Sequence, residues 1–434
     1  MSILFEHVTV LTMDGSRTIL KNAFVAVENE KISYVGTQRP EKKYDRNIDG
    51  RGKVLMPGFV NAHTHIPMTL MRGYGGGTNL QTWLHEYIFP AEAKLDGRAV
   101  AAGTALGLAE MIATGVTCIA DMYMHTGTIA RQIVDAGLSA NLSCGGVYFG
   151  SAEDFSPASC GDCKNQQVLT EHWHNVNGGQ IRVDASIHAE YTSNAALWRW
   201  MADYAQNKGL RMHVHISETA SEHQDSLRRN GLTPLQALDQ YGVWENGGIA
   251  AHCVYTTPED WALMKQKDIT AVHNPWSNLK LGSGVAPIPD LMQAGVNVAL
   301  GSDGMSSHNS ADLFSDMKLA ACLQSGVRRD PMAMGAWDVL EMATVHGAKA
   351  LGRTDTGCIA EGYIADLILV DFSAPNLMPC HNEAESLVYS AQPHNVWMNM
   401  ARGKIIYENG IYLTLDMERV RTEVEQYAVP RIFG

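Results

Sequence analysis

The apolar pattern at the N-terminal end of the chain is that of short strands separated by turns. β-prone runs cover residues 3–5, 8–12, 23–27 and 32–36, and polar or turn-forming residues stand between them. Regularly spaced short strands with turn signals between them predict a small β-sheet unit.

The same pattern returns near the C-terminal end. Residues 362–371 predict a strand, and residues 396–410 predict a hairpin that turns at Arg402-Gly403. Two strand-rich ends around a different middle predict one domain assembled from both termini. The residues from Asp416 onward predict an amphipathic helix that packs back on the body of the protein.

The middle of the chain alternates between strand-length apolar runs and helical stretches. The strand-like runs are residues 55–61, 116–121, 181–187, 211–215, 248–252, 269–273 and 296–301. The helical stretches include residues 98–114, 194–208, 234–241 and 258–267. Repeated strand–helix units build a parallel sheet, and eight such units close into a barrel.

These patterns together predict an α/β fold with two parts. A (β/α)8 TIM-type barrel is expected over residues 57–357. A small β-sandwich domain is expected from both termini, residues 1–56 and residues 358–434, and the second segment includes the terminal helix. The length of 434 residues leaves room for both parts.

The charge balance and the apolar runs exclude several classes of partner. The formal net charge of −13, from 46 acidic and 33 basic side chains, repels a polyanion, so no nucleic acid is expected to bind. The N-terminal residues lack a basic region followed by an apolar core, and no apolar stretch reaches the ~20 residues of a membrane span. We therefore expect a cytoplasmic protein without membrane association.

The eight cysteines do not form a recognisable disulfide framework for a chain of this size, which favours a reducing compartment. Cys160 and Cys163 form a single CxxC motif, and no second pair stands nearby to complete a zinc knuckle. We expect this motif to be a surface loop with incidental thiols.

The positions of histidines and acids on the strand-like runs indicate a metal site. His63 and His65 close the first run, and alternate residues of a strand point to the same side. His215 and His252 end two later runs, and Asp303 follows another. A single histidine at a strand end is more often a core residue than a ligand. Five metal-capable residues at equivalent strand ends, where barrel enzymes place their active sites, indicate a metal centre.

Five longer motifs carry a resemblance to a known enzyme family. Residues 57–65, 213–218, 252–253, 273–282 and 301–304 resemble the nucleobase-deaminase and chlorohydrolase branch of the amidohydrolase superfamily. The resemblance extends over residues 3–430 and implies a β-sandwich beside the barrel. It implies one divalent metal per subunit, with zinc favoured and iron or manganese as alternatives. The ligands that it implies are His63, His65, His215 and Asp303.

The same resemblance implies a deaminase mechanism. A metal with an open coordination position lowers the pKa of bound water towards neutrality. His252 would orient this water, and Asp303 would accept its proton. Glu218, three residues after His215, would protonate a ring nitrogen while hydroxide attacks the neighbouring carbon, and ammonia would then leave. Members of the family that carry this glutamate are typically deaminases.

The segment after the first barrel strand narrows the range of possible substrates. Residues 83–92 resemble the corresponding segment of methylthioadenosine/S-adenosylhomocysteine deaminases, and the resemblance makes Trp83, the first of them, a candidate substrate contact. The resemblance implies that Glu92 accepts hydrogen bonds from ribose hydroxyls, since a carboxylate can receive both O–H groups of a vicinal diol. It further implies that His188 contacts a purine ring nitrogen and that Ser307 is an additional polar substrate contact.

Two departures from the family pattern affect this interpretation. Glu190 replaces the usual proline after His188-Ala189, which predicts an extra acid beside the base pocket. Cys144 stands where members that deaminate S-adenosylhomocysteine can carry an arginine for the amino-acid carboxylate. Losing that charge-assisted partner removes roughly 1.5–3 kcal/mol. We therefore favour a 5'-modified adenosine with an uncharged tail, such as methylthioadenosine, 5'-deoxyadenosine or adenosine itself, over S-adenosylhomocysteine.

Two alternatives remain at this stage. The enzyme could deaminate or dechlorinate another heterocycle, such as a guanine-like base, a pterin or an s-triazine. From a different class, the chain could be a barrel with a structural metal that only binds a ligand. Glu218 and His252 argue against the second alternative, because a structural metal has no use for a proton shuttle. By analogy with relatives, the protein is also expected to be a homo-oligomer.

Overall fold

The computed structural model describes residues 2–78 and 80–434, so Met1, the first residue of the predicted N-terminal domain, lies outside the described residues. The strands in the described residues are β1 (Ser2–Leu11), β2 (Ile19–Glu28), β3 (Lys31–Gly36), β4 (Arg46–Asp49), β5 (Lys53–Pro57), β6 (Phe59–His65), β7 (Val116–Met122), β8 (Ser139–Ser143), β9 (Ile181–Val183), β10 (Ala185–Ala189), β11 (Met212–Ile216), β12 (Gly248–His252), β13 (Ile269–His273), β14 (Val298–Leu300), β15 (Asp303–Gly304), β16 (Leu367–Asp371), β17 (Val396–Ala401), β18 (Lys404–Glu408) and β19 (Ile411–Tyr412).

Helices follow most of the central strands. The α-helices are α1 (Leu80–Thr82), α2 (Phe89–Glu92), α3 (Gly97–Ala113), α4 (Thr126–Ala136), α5 (Gly161–Trp173), α6 (Val176–Gly179), α7 (Ala195–Lys208), α8 (Ala220–Asn230), α9 (Pro234–Asp239), α10 (Pro258–Gln266), α11 (Pro275–Lys280), α12 (Ile288–Gln293), α13 (Leu313–Arg328), α14 (Ala336–Met342), α15 (Val345–Ala350), α16 (Glu383–Glu385), α17 (Met417–Glu423) and α18 (Val429–Phe433). A π-helical segment, Trp83–Ile88, joins α1 to α2, and another, Val424–Ala428, joins α17 to α18. None of the helices in the described ranges is long and apolar enough to span a membrane.

Both ends of the chain contribute to one nine-stranded sheet in the order β19-β18-β17-β16-β5-β1-β2-β3, with β4 paired to β1. The antiparallel pairing of β5 with β16 places Leu55 opposite Leu369 and joins the two termini. Strands from both ends therefore share one sheet, and the predicted domain division stays a prediction. The first two predicted strands, however, are one strand, because β1 continues through an irregularity between Phe5 and Val8, where His7 takes a left-handed φ of 57°.

The central strands form two parallel five-stranded sheets that alternate with helices, the arrangement typical of TIM-barrel-type folds. One has the order β15-β6-β7-β8-β9 and the other β10-β11-β12-β13-β14. A bridge between Gly146 and Ile187 connects the end of β8 to β10, and β15 pairs with β6. Parallel strands end at a common edge, so the residues that follow β6, β11, β12 and β14 face the same region.

Two predicted strands are divided because the backbone changes its pairing partner. The run 55–61 is split at Gly58. The residues before Gly58 belong to β5 in the nine-stranded sheet, and the residues after it belong to β6 in a parallel sheet. A Cβ at Gly58 would lie only 2.2 Å from Thr117 Cγ2, so this crossing requires glycine. The run 181–187 is split at Asp184, whose N–H donates to β8 while the N–H of Ala185 donates to Arg211 before β11.

The prediction for the CxxC motif is wrong. Cys160 and Cys163 are both buried, and α5 begins between them at Gly161. Their thiols belong to the apolar core that packs α5 against the parallel sheet, which a motif of two cysteines could not reveal. The predicted strand 362–371 is also shorter in the structure and begins only at Leu367.

Candidate active site

The structure brings the four predicted ligands together at the ends of three strands. His63 and His65 lie on β6, His215 lies on β11 and Asp303 begins β15, and one ligand atom from each lies within 4.8 Å of the others. Asp303 Oδ1 is 3.4 Å from His63 Nε2 and 3.2 Å from His65 Nε2. The Nε2 atoms of His65 and His215 are 3.3 Å apart.

These separations and the hydrogen bonds behind them fit one divalent metal. Four ligands arranged tetrahedrally at bonds of about 2.1 Å are separated from one another by about 3.4 Å. His65 Nδ1–H donates to Met122 O at 2.6 Å and His215 Nδ1–H donates to His188 O at 2.7 Å, so the Nε2 atom of each ring faces the centre. His63 Nε2 is buried and has no hydrogen-bond partner among the described residues, as expected of a ligand atom.

Burial and the Asp303 charge act in opposite directions on the histidines. Burial lowers the pKa of His63 to about 3, so its imidazole is neutral. Burial also opposes the charged form of His65, but hydrogen bonding and charge attraction from Asp303 outweigh it and raise the pKa of His65 to about 9. Burial would raise the pKa of Asp303, yet its contacts with both histidines hold that pKa well below the usual range. The centre therefore contains an ionised carboxylate.

Glu218 and His252 lie beside this cluster. His252 ends β12, and its Nδ1 lies 2.8 Å from Asn278 Oδ1, so that Nε2 is the ring nitrogen that faces the cavity. His252 Nε2 is 3.8 Å from Glu218 Oε2. Burial raises the pKa of Glu218 above its usual value, which the proximity of His252 only partly offsets.

Left-handed backbone conformations direct these side chains. Ser217, His252 and Asp303 have φ values of 49°, 74° and 60°, a region that non-glycine residues rarely adopt. Each follows or ends a parallel strand, where the chain turns sharply into the next loop. Such strain persists where the surrounding contacts over-determine it, and it concentrates at functional sites.

Glu222 is a supporting residue that the sequence analysis missed. Its carboxylate accepts hydrogen bonds from the N–H groups of Ser217 and Glu218 at 2.8 and 2.7 Å, which fixes the turn that carries Glu218. Thr219 caps α8 by accepting from the N–H of Glu222. The Thr-x-x-Glu spacing of a capping box was the available signal, although it indicates a helix start and not a role in a site.

The remaining predicted residues line a cavity of about 340 Å³, which three of the four predicted ligands, His65, His215 and Asp303, also line. Glu92 accepts a 2.6 Å hydrogen bond from the hydroxyl of Tyr123, which follows β7. His188 is the penultimate residue of β10, and its buried Nδ1 has no hydrogen-bond partner among the described residues. Ser307 donates to Asp303 Oδ2 at 2.9 Å, and Trp83 donates from Nε1 to Tyr74 O at 3.2 Å. All four predicted substrate contacts therefore stand at one cavity, and their contact with substrate stays a prediction.

The structure corrects the interpretation of Glu190. This buried carboxylate is paired with Arg229 and accepts a hydrogen bond from Asn230 at 2.9 Å, and it is not among the cavity-lining residues. The proline-to-glutamate departure thus attaches the segment after β10 to α8 and adds no acid beside the base pocket. Cys144, the other departure, does line the cavity.

Comparison with known proteins decides the family. A sequence model described as the amidohydrolase family matches residues 54–406. The chain belongs to the amidohydrolase family. The family prediction is thereby confirmed, and with deaminase-named relatives the chain is a hydrolase that acts on C–N bonds of a small molecule.

Similar proteins carry related names. A protein of Acetivibrio thermocellus named 5-methylthioadenosine/S-adenosylhomocysteine deaminase is 37% identical over 432 residues, which cover 99% of each chain. A 5'-deoxyadenosine deaminase of Methanosarcina acetivorans is 38% identical, covering 98% of this chain and 97% of the other. The crystal structure of an adenosine deaminase from Xanthomonas campestris with bound zinc has a TM-score of 0.92 and 32% identity, covering 99% of this chain and 98% of that one.

Proposed function

We propose that this amidohydrolase is a metal-dependent deaminase of adenosine-type nucleosides that releases ammonia. The observation that carries the proposal is the presence, in one cavity, of the His/Asp cluster, the Glu218–His252 pair and Glu92. The His/Asp cluster can bind a metal that activates water. The Glu218–His252 pair can transfer a proton to a ring, and Glu92 can accept hydrogen bonds from a ribose diol. The names of the similar proteins point to the same class of substrate.

The proposed cofactor is one divalent metal per subunit, held by His63, His65, His215 and Asp303. Zinc is favoured because three imidazoles and one carboxylate suit it and a similar structure contains it, while iron and manganese remain the alternatives. When bound, the metal would lower the pKa of a water molecule and so make hydroxide available near neutral pH.

His252 would orient that water, and Asp303 would accept its proton. Because Asn278 accepts from Nδ1–H of His252, the Nε2 atom is an acceptor that can orient a water molecule in the cavity. Ser277 donates to Asp303 Oδ2 at 2.6 Å and Ser307 donates to the same oxygen at 2.9 Å. These bonds fix the carboxylate, which would accept the water's proton and return it to the leaving amine.

Glu218 would serve as the acid that activates the heterocycle. A raised pKa keeps a larger fraction of this carboxyl group protonated, so it can donate to a ring nitrogen while hydroxide adds to the neighbouring carbon. Ser283 donates to Glu218 Oε1 at 3.4 Å, which leaves Oε2 towards His252 and the cavity. Loss of ammonia from the resulting tetrahedral carbon would restore the ring with an oxygen substituent.

The cavity walls support a nucleoside with an uncharged tail as the substrate. The carboxylate of Glu92 would accept from the ribose hydroxyls, and the unpartnered Nδ1 of His188 would hydrogen-bond a purine ring nitrogen. Trp83 adds an apolar wall. No lysine or arginine is among the described residues that line the cavity, so methylthioadenosine, 5'-deoxyadenosine or adenosine is favoured over S-adenosylhomocysteine.

We also propose the finer organisation of the fold. The two parallel sheets would form one closed (β/α)8 barrel over residues 57–357, supported by the β15–β6 pairing and the Gly146–Ile187 bridge. The nine-stranded sheet would fold as a β-sandwich of residues 1–56 and 358–434 around its own apolar cluster. The free cysteines of the described residues suit the cytoplasm, and size-exclusion chromatography with light scattering would test for a homo-oligomer.

An ammonia-release assay across a substrate panel tests the function. The panel contains the three favoured nucleosides, S-adenosylhomocysteine, guanine, a pterin and an s-triazine. We expect the highest kcat/KM for the nucleosides with uncharged tails, and a loss of roughly 10³-fold in kcat for Glu218→Gln, which cannot deliver a proton. Better turnover of a guanine-like base, pterin or triazine would favour the other-heterocycle alternative.

The Glu92→Gln variant separates the same alternatives. It should raise KM for nucleosides by roughly tenfold, because a carboxamide oxygen accepts less strongly than a carboxylate. A substrate without ribose should be nearly unaffected. Metal-loaded protein that binds a nucleoside but releases no ammonia from any member of the panel would support the non-catalytic barrel.

A further inference from the structure

One carboxylate that lines the cavity has no part in the proposed reaction. Asp162 lies in the first turn of α5, and its Oδ2 accepts a 2.9 Å hydrogen bond from the N–H of Val147. The thiol of Cys144 lies 3.9 Å from the Asp162 carbonyl oxygen. These contacts hold the start of α5 against the segment after β8, so that Asp162, Cys144 and Val147 all line the cavity.

The position of Asp162 follows from the strand order. Tyr123, the residue after β7, holds Glu92 by a hydrogen bond, and His188 is the penultimate residue of β10. In the sheet order β8 is the neighbour of β7, and the bridge from Gly146 to Ile187 joins the segment after β8 to β10. The segment that carries Cys144 and Val147 therefore lies between β7 and β10. A ligand that spans from Glu92 to His188 therefore passes the wall that holds Asp162.

Apart from the histidines, the charged side chains of this wall are acidic. The acidic residues that line the cavity are Glu92, Asp162, Glu218 and Asp303, and the described lining contains no lysine or arginine. Asp162 forms no salt bridge within the described residues. Charges act strongly in a cavity from which much of the water is excluded, because the effective dielectric constant is well below that of bulk water.

We propose that Asp162 is a specificity-determining residue that excludes anionic 5' tails and admits neutral or cationic ones. The inference rests on the proposed nucleoside deaminase function and deepens it. A 5'-phosphate or a 5'-carboxylate would approach an unpaired carboxylate of like charge, which disfavours binding. An uncharged tail meets no such penalty, and an ammonium group on the tail gains a partner.

Three ligands that differ in the charge of the 5' substituent test this proposal. They are adenosine 5'-monophosphate, 5'-deoxyadenosine and 5'-amino-5'-deoxyadenosine, assayed as kcat/KM at about pH 8, because burial raises the pKa of Asp162 above its ordinary value and a higher pH favours the ionised carboxylate. Asp162→Asn retains an oxygen that can accept from Val147 and removes only the charge. Glu153→Gln is the matched control, because Glu153 is an exposed acid of the same segment that does not line the cavity.

We expect Asp162→Asn to raise kcat/KM for the monophosphate, relative to 5'-deoxyadenosine, by about tenfold and to lower that for the amine several-fold. The kcat/KM for 5'-deoxyadenosine is the reference within each variant, and Glu153→Gln should change none of the ratios. Asp162→Glu should keep the discrimination of the wild type. The inference would be overturned if Asp162→Asn still deaminates 5'-deoxyadenosine but shows the same kcat/KM ratios between the three ligands as the wild type. The proposed function would then remain intact.

Calorimetric binding of the same ligands keeps the test independent of turnover. Wild-type protein should bind 5'-deoxyadenosine more tightly than the monophosphate even if it deaminates neither. Equal affinity for the two would overturn the role of Asp162. Binding of 5'-deoxyadenosine without release of ammonia would instead refute the proposed deaminase function, while the affinity ratio in Asp162→Asn would still decide the specificity.

Discussion

The hydroxyl of Tyr123 donates a 2.6 Å hydrogen bond to Oε1 of Glu92, which joins the residue after β7 to the end of α2. This contact orients the carboxylate that we assign to the ribose. Tyr123→Phe removes the donor, so we expect KM for nucleosides to rise roughly five- to tenfold with little change in kcat, in line with about 1–1.5 kcal/mol for one hydrogen bond. Steady-state kinetics with methylthioadenosine would measure this.

The control for Tyr123→Phe is a ligand without the diol. 2',3'-Dideoxyadenosine offers no hydroxyl to Glu92, so its KM should be similar in the variant and the wild type. An equal rise in KM for both nucleosides would show that Tyr123 shapes the cavity by packing and does not act through Glu92.

Removal of the metal should abolish activity and lower thermal stability. The ligands His63, His65, His215 and Asp303, all buried except the partly exposed His65, contain an ionised carboxylate and closely spaced imidazoles, whose mutual orientation a cation would stabilise. After dialysis against a chelator, we expect loss of ammonia release and a Tm decrease of several degrees, about what a few kcal/mol of binding free energy implies. Differential scanning fluorimetry and elemental analysis would check both.

Re-addition of one equivalent of zinc, iron or manganese should restore activity to different extents, which also identifies the preferred metal. Asp303→Asn is the matched comparison, since it lowers the charge of the site and should weaken metal binding. Full activity in chelator-treated protein that contains no metal would contradict the proposed centre.

The stability of the protein should depend on pH through Glu222. Burial and the neighbouring Glu218 raise the pKa of Glu222 from 4.5 to about 8. Because this folded-state pKa lies above the unfolded value, the stabilising contribution is complete below about pH 4.5 and is lost as the pH rises through about 8. In Glu222→Gln the side chain is neutral at every pH. The Tm of the variant should therefore fall less steeply than that of the wild type between about pH 5 and 9.

Thermal melts of both proteins in a pH series would measure this difference, since the groups far from Glu222 and Glu218 titrate in common. Parallel Tm curves would show that Glu222 is ionised throughout. Glu259→Gln supplies the comparison, because Glu259 is an exposed acid in the first turn of α10.

The C-terminal helix packs beside the segment that carries Glu92. The rings of Phe433 and Tyr74 are 4.8 Å apart, and Lys94 Nζ donates to Ile432 O at 2.6 Å. Arg431 Nε lies 3.1 Å from Asp96 Oδ2. Loss of the aromatic contact in Phe433→Ala should loosen residues 72–94, increase their amide hydrogen exchange and raise KM for nucleosides roughly two- to fivefold.

Leu413→Ala is a suitable control for this variant, because Leu413 is 52% exposed and lies outside the C-terminal helix. Faster exchange across the whole chain in Phe433→Ala would indicate general destabilisation. Unchanged exchange in residues 72–94 would show that the helix does not restrain this segment.

The local pattern of apolar and polar residues was sufficient to identify most of the strands and helices, including the strand that carries His63 and His65. Side chains alternate along a strand, so His63 and His65 had to point to one side once β6 was recognised. Strands β12 and β13 coincide with their predicted bounds. The hairpin at Arg402-Gly403 was equally readable, because turn residues and apolar alternation depend only on near neighbours.

Contacts between distant residues were decided only by the tertiary structure. The sequence predicts that Glu190 lies next to the base pocket, yet Glu190 pairs with Arg229 on α8. The thiols of Cys160 and Cys163 read as surface groups, yet α5 buries them. Neither outcome follows from sequence spacing, because the partner of a polar side chain depends on which helix packs against its strand.

The four proposed ligands illustrate both levels. Their residue types, and their places at the ends of strands, could be read from the sequence by itself. The 3.2–3.4 Å approach of their atoms could not be read there, because it depends on the register that pairs β15 with β6 and on the left-handed turn at Asp303. Chemical identity is local, whereas distance between residues far apart in the chain is set by packing of the whole fold.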